Sequence, residues 1–570
     1  MAKNNSLALS RAKKRAEKAL KKNQLGEARA ALEQVCELAP QDVTAWLSLA
    51  NFAEKQTDFA MAEKAFRQAL LLGGEVKDAY KRLAGLLVMR DQMDEAEGLY
   101  RTHLKNQPND IACYHLLGVV LEGLDNMAVA ESTYREALQL NSDNAQVLSG
   151  LGRVLRHQGQ YEEAKGHLER AIEINPKLGA PYLEIANLLR QEGRFEEALQ
   201  NYDYFFRYSP QEKVIYLLSK ASLCVELEQY ADAVKLFDQV MTINPRSIQG
   251  HCSRAQALLT LGKFREGWDE YEWRRADAFW LKQPHMSGYN RMRPNWTGEP
   301  LDGKNILVYA EQGFGDIIHF SRYLPALAAR GANVHFHCQA VVKKLFDNMP
   351  GLASVTVRDA EAVTQADYDY FLPLMSLPRL FKHYDIGAFP NDAPYLSPDE
   401  SKVAGWHQRM DVPELKVGLV WSGAGTNPID LRRSVSLDQF DGLKDIPHVK
   451  FFSLQKGDAV SQIDRLPHGL DIVDVSDELN DFSDTAAVIA NLDLVITVDT
   501  AVAHLAGALN CPVWVMIYSG PDWRWLLERE DSPWYPSMRL FRQAPRDDWQ
   551  AVINHIQESL SAWVAEKHSA

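Results

Sequence analysis

A chain of 570 residues is longer than one hydrophobic core sustains, so two or more domains are expected. Its 46% hydrophobic and 24% charged residues are those of an ordinary globular protein, and the net charge of −14 excludes a chain built mainly to neutralise nucleic-acid phosphates.

Six cysteines (Cys36, Cys113, Cys224, Cys252, Cys338 and Cys511) lie far apart with no C-x-x-C pair, which predicts reduced thiols and offers no zinc knuckle. The basic N-terminus lacks an apolar h-region. The most apolar long stretch, 492–518, is interrupted by Asp493, Asp499 and His504. A cytoplasmic protein without a membrane span is the expectation.

In the first half a helix-breaking residue recurs at Pro40, Gly74, Pro108, Ser142, Pro176, Pro210 and Pro245, a step of 34 residues five times and then 35. Twelve residues before each mark stands an alanine: Ala28, Ala62, Ala96, Ala130, Ala164, Ala198 and Ala233. Four later comes a large residue: Leu32, Phe66, Tyr100, Tyr134, Leu168, Tyr202 and Phe237. A small residue lets two helices approach and the large one fills the groove beside it. The pattern resembles the tetratricopeptide repeat and implies an α-solenoid of about eight helix pairs over residues 9–275, whose concave face binds protein. The last period adds Trp268 and Trp273, placed to seal the array against the next domain.

Beyond residue 275 apolar runs alternate with helical ones. Strands are expected at 306–310, 334–338, 355–357 and 370–372, then at 417–422, 450–454, 494–499, 512–517 and 539–541. Such runs imply parallel sheets covered on both faces, in two Rossmann-like lobes. The expected division is an N-terminal lobe at 276–395, an interlobe linker at 396–414, and a C-terminal lobe at 415–570 that ends in an amphipathic helix from Trp549.

Two strand-end loops concentrate chemistry. "EQGFGDIIHF", 311–320, lacks the third glycine and the distal acid of a dinucleotide fingerprint. "VDTAVAHLAGAL", 498–509, ends a strand and starts a helix, so Thr500 with the N–H groups from Ala501 onward makes a phosphate-binding helix start, or Thr500 is a plain N-cap. His504 lies one turn in, either on the ligand or packed.

Together these loops resemble the heptosyltransferase-like glycosyltransferases, whose GT-B fold is two facing Rossmann lobes. "VGLVWSG" (417–423), "RRSVSL" (432–437) and "DWRWLLEREDSPWYPSMRLFRQ" (522–543) are similar to a bacterial subfamily that joins tetratricopeptide repeats to such a domain. Some proteins of this type glycosylate flagellin, and the architecture is similar to that of O-linked N-acetylglucosamine transferases. After Gly423 many relatives continue with Asn-Pro, where this chain has Ala424-Gly425-Thr426.

The resemblance implies metal-independent, inverting transfer from a nucleotide sugar, UDP- or CMP-linked, with no cofactor. Asp316 is the expected base, with helix capping as its alternative role; Gly313, Phe314 and Gly315 form the acceptor loop, the glycines admitting the sugar. Donor contacts are expected from Ser422, Gly423, Arg433, Lys456, Asp499, Thr500, Ala501 and His504. Asp367-Tyr368-Asp369 imitates a metal-binding D-x-D but leads into a first-lobe strand. The expected acceptor is a protein serine or threonine held by the repeats, flagellin being one candidate. The alternatives are a non-catalytic scaffold with a degenerate transferase domain, and an enzyme of glycolipid or polysaccharide assembly.

Overall fold

The computed structural model describes residues 2–73, 78–276, 289, 294–358, 367–423, 425, 430–466, 470–544, 546 and 548–569. Gly74, Ala424 and Thr426 lie outside them. Among the described residues the repeat region is sixteen helices, α1 (Ala2–Lys21) to α16 (Phe264–Tyr271). Every alanine of the small position is fully buried, and the seven large partners are at most 5% exposed. Between the helices of each pair the chain turns through the left-handed region at Asn23, Thr57, Asp91, Asp125, Gly159, Gly193, Glu228 and Gly262. The period is therefore written in turn geometry even where the residue is not glycine.

Two compact units divide the chain at Tyr216/Leu217. The helical period runs to Tyr271, but its last helices pack with the α/β half. Phe264, Trp268 and Tyr271 share one core with Ile317, Phe320, Trp523 and Trp534, and the Trp268 ring meets that of Trp523 edge-on at 5.1 Å. Trp268 thus seals the junction, whereas Trp273 stacks flat on His251 at 3.9 Å, within the repeats. Arg274 adds a buried ion pair, donating to Glu311 at 2.7 and 3.2 Å.

The first lobe runs β1 (Asn305–Tyr309), α17 (Phe314–Ser321), α18 (Leu324–Ala328), β2 (Asn333–Cys338), α19 (Ala340–Lys343), β3 (Leu352–Val357), β4 (Tyr370–Pro373) and α20 (Leu377–Leu380). The segment 314–328 forms two helices and not one, because Pro325 supplies no N–H and sits at the second helix's start. After α21 (Glu400–Arg409), the second lobe runs β5 (Leu415–Val420), α22 (Asp430–Arg433), β6 (Val449–Ser453), β7 (Ile472–Asp474), α23 (Phe482–Ile489), β8 (Leu494–Val498), α24 (Ala501–Ala508), β9 (Val513–Ile517), β10 (Met538–Arg542) and α25 (Trp549–Ser569).

Both sheets are parallel, in the orders β3-β2-β1-β4 and β10-β9-β8-β5-β6-β7. The α/β architecture agrees with a GT-B fold. The short β7 is not expected from the sequence. In each sheet the strand order reverses once, between β1 and β4 and between β5 and β8, and such switch points open crevices at the carboxyl ends of the strands. Helix α25 closes the outer face, with Ile553, Ile556 and Leu560 against Val417, Leu419 and Trp514. All six cysteines are free, and no helix among the described residues is long and apolar enough to cross a membrane.

Candidate functional site

Both loops singled out from sequence leave a sheet at its switch point. After β1 the chain enters α17 with Gly313 as the N-cap, and Asp316 sits one turn in. Its Oδ2 accepts the Gly313 N–H at 3.0 Å, the reciprocal half of a capping box. Its Oδ1 takes the guanidinium of Arg524, delivered from the other lobe by the short turn Trp523–Trp525. Burial pushes the Asp316 carboxyl above its usual range, Arg524 opposes, and Asp522 adds to the rise. The Asp316 side chain is 22% exposed, so it can still be reached.

After β8 comes Asp499, 8% exposed, and then Thr500. The Thr500 side chain makes no capping bond; its hydroxyl lies 3.1 Å from that of Thr497. The plain N-cap role is not realised, and the partial positive charge of the helix start is not answered by that side chain. Burial and Asp522 push the Asp499 carboxyl up to about 6, with Arg433 and Arg524 opposing.

The two loops meet. A Cβ on Gly315 would come within 2.8 Å of the His504 ring and 3.6 Å of Ala501 Cα. The expectation that this glycine admits a sugar is corrected: it admits His504. Gly313 has more room, its nearest neighbour being Asp316 Oδ2 at 3.4 Å. Phe314 leans on Phe482 of the second lobe at 5.4 Å.

His504 is likewise corrected from donor contact to packing residue. It is buried, stacked on Trp525 at 5.2 Å, with Nδ1 2.9 Å from the Tyr535 hydroxyl. His319 of α17 places its own Nδ1 3.0 Å from the same hydroxyl. Burial, then the cations Arg322 and Arg524 nearby, hold both rings well below the ordinary histidine range, so both are neutral. One hydroxyl hydrogen serves at most one ring, so at least one histidine carries its proton on Nδ1. Arg322 finishes this interlobe seam by donating to the carbonyls of Pro390 and Trp534, each at 2.8 Å.

The third loop comes after β5. Gln455 Oε1 accepts the N–H groups of Trp421 (3.0 Å) and Ser422 (2.9 Å), and Ser434 Oγ accepts that of Gly423 (3.1 Å). A Cβ on Gly423 would fall 2.4 Å from Asp430 Oδ1, the atom to which Arg433 donates at 2.7 Å. Arg433 therefore borders the Ser422–Gly423 loop and acts on Asp499. Arg432 instead pairs with Glu226 at 2.6 Å, and the exposed Lys456 donates to the Ser476 carbonyl at 2.7 Å. Lys456 is thus tied to backbone, and no carboxylate among the described residues pairs its charge. Asp369 bonds Lys304 and the Asn305 N–H, fastening a strand end.

Sequence reasoning missed Arg524, Asp522, Gln455, Ser434, Tyr535, Arg322 and His319. The run Asp522-Trp523-Arg524-Trp525, charges interleaved with tryptophans, was the available signal for the first two.

The repeat unit Met1–Tyr216 has a cavity of its own, about 610 Å³, lined among others by His115, Glu122, Ser149, Arg153 and His157. Arg153 grips Glu122 at 2.6 and 2.8 Å, and Tyr134 donates to the same carboxylate at 2.6 Å.

Residues 13–60, 53–111, 110–177 and 183–248 match tetratricopeptide repeat families, and 446–521 match glycosyltransferase family 9 (heptosyltransferase). Protein FlbA of Caulobacter vibrioides is 29% identical over 344 residues, 55% of this chain and 55% of that protein, so the match spans just over half of the relative. Among solved structures the chain is similar to a tetratricopeptide repeat protein from Parabacteroides merdae (15% identity, 44% of this chain and 99% of that one, TM-score 0.40) and to Pseudomonas aeruginosa pilF (23%, 36% and 94%, TM-score 0.30). The chain is a fusion of tetratricopeptide repeats with a domain similar to glycosyltransferase family 9.

Proposed function

We propose that this chain is an inverting glycosyltransferase that moves a sugar from a nucleotide donor to a serine or threonine hydroxyl of a protein recruited by the repeats, working in the cytoplasm. The observation that carries the reading is the meeting of the Asp316 helix start with the Thr500 helix start, one from each lobe, with a shared aspartate and arginine cluster beside them. In this reading the two loops supply acid–base chemistry and phosphate stabilisation side by side.

In this reading Asp316 takes the acceptor proton as the anomeric carbon becomes oxocarbenium-like. The start of α24 at Thr500 and Ala501 stabilises the departing phosphate, with Arg433 beside Ser422 and Gly423. Asp499 orients sugar hydroxyls. The positive charge comes from the chain itself, so neither metal nor cofactor is required. The donor in this reading is UDP- or CMP-linked, and flagellin is a candidate acceptor.

Thermal-shift screening against UDP, CMP and their sugars tests the donor half: a nucleotide at a hundred times its dissociation constant adds about 2.7 kcal/mol. Thr500→Asp places a carboxylate among the donor's oxygens and should abolish that shift, while Thr500→Ser should keep it. Mass spectrometry of acceptor serine and threonine peptides tests the other half. No shift with any nucleotide, together with no modified peptide, would leave the scaffold reading in its place.

A further inference from the structure

We infer that Arg524 is a positioning residue for Asp316: reaching over from the C-terminal lobe, its guanidinium orients the carboxylate on α17 and keeps it the anion that a base must be. The inference rests on Asp316 being the base.

Arg524 is 6% exposed and has little freedom. Asp522 Oδ1 accepts from its guanidinium at 2.8 Å and from its backbone N–H at 3.0 Å. Its plane lies over the Trp523 ring at 4.3 Å, and its carbonyl accepts the Trp534 indole N–H at 2.6 Å. A guanidinium locked in this way imposes its geometry on the softer partner.

Asp316 needs such a partner. The groups that act on it are Arg524, Asp522, Glu311 and the Gly313 N–H, with Tyr271 also close; Glu311 is itself neutralised by Arg274. Asp499 sits beside Asp522. Removing Arg524 leaves several carboxylates crowded in a half-buried pocket, and the cheapest relief is a proton on one of them. With Arg524 on Oδ1 and Gly313 on Oδ2, each oxygen keeps a lone pair for an acceptor hydroxyl. The hydroxyl proton passes to Asp316 and later to solvent, while Arg524 keeps its own. Because the two residues are 208 apart in sequence and on different lobes, the base is aligned only while the lobes touch.

The test uses the full chain. Infrared pH-difference spectra of wild type minus Asp316→Asn isolate this one carboxylate without any donor. Arg524→Gln should raise its titration midpoint by at least about one pH unit, and Arg524→Lys by less. With UDP-N-acetylglucosamine and CMP-N-acetylneuraminic acid as donor probes, Arg524→Gln should lower kcat roughly 10- to 100-fold near neutrality. The acid limb should move to higher pH, rate should return there, and donor KM should hold.

An unmoved midpoint overturns the inference. So does an unchanged acid limb with raised donor KM, which makes Arg524 a phosphate ligand, or equal losses for Arg524→Lys and Arg524→Gln with no change in pH profile. A wild-type rate for Asp316→Asn instead overturns the base reading and the positioning role with it, whereas an inactive Asp316→Asn with an unmoved Arg524→Gln midpoint overturns the role of Arg524 alone.

Discussion

The repeat array and the two-lobed half use one device at two ranges: a residue without a side chain where a ring must fit. In the array Gly118 and Gly150 make room for Tyr134, and a Cβ on either would come within 2.3 or 2.6 Å of its ring. All three lie on consecutive helices, so the period displays them. In the cleft Gly315 makes room for His504, which arrives from the other lobe. The same packing constraint is local in one region and long-range in the other. Only the cleft version joins the two sheets, so only there is packing expected to bear on the proposed chemistry.

Cutting the chain tests the contrast most severely. A fragment beginning at residue 277 lacks Phe264, Trp268, Tyr271 and Arg274, all at most 7% exposed. Losing each large buried aromatic costs about 3–5 kcal/mol, and the three together rival the roughly 5–15 kcal/mol that holds a domain. It should lack a cooperative calorimetric transition, while a fragment of residues 217–570 should show one. Cooperative melting of the shorter fragment would mean that the period, not the contact boundary, marks the folding unit.

Asp316→Asn comes next. Asparagine caps about as well as aspartate but takes no proton, so transfer should fall by about 10² to 10⁴, near 3–5 kcal/mol of barrier, with the donor thermal shift kept. Wild-type transfer under chemistry-limited conditions would leave Asp316 a cap and ion-pair partner only.

The glycines give a paired comparison. Gly150→Ala and Gly315→Ala should each cost about 1–3 kcal/mol by crowding a ring. Urea unfolding should register both, yet only Gly315→Ala should lower the transfer rate of the folded protein. Equal effects on transfer would show that the array's packing reaches the chemistry as well.

The smallest effect expected is a gain. Because the Asp499 carboxyl is raised from 3.8 to about 6 in the folded protein, its favourable contribution is complete below the unfolded value and is lost as pH climbs through the folded one. Asp499→Asn removes that loss. Its melting temperature should pull ahead of wild type between about pH 4 and about pH 8, by the equivalent of about 1–2 kcal/mol, while donor binding weakens. A gap that stays constant with pH would mean that the carboxylate is not strained by its burial.

These ranges explain which features are legible in the sequence. Ala28 and its six counterparts, the breaks between helix pairs such as Pro40 and Pro108, and the apolar runs of β1, β2, β5, β8 and β9 are set by spacing within a few dozen residues, and the structure has the alanines buried and the strands where expected. Strand ends differ by up to three residues, and the break before α18 escapes a reading of periodicity because Pro325 falls inside a helical pattern. In the site, Gly313, Asp316, Asp499 and Thr500 are legible because each ends a strand or starts a helix.

The sequence by itself determined the repeat period, the two parallel sheets and the two loops at their switch points, since hydrophobic periodicity, small-residue spacing and chain reversals all act over short stretches. Only the tertiary structure decided that Gly315 answers to His504, that His319 and His504 share Tyr535, that Lys456 is tied to Ser476, and that Arg524 holds Asp316. The physical reason is that buried charges and rings take their partners from whatever surface the fold presses against them, and that surface here belongs to another lobe.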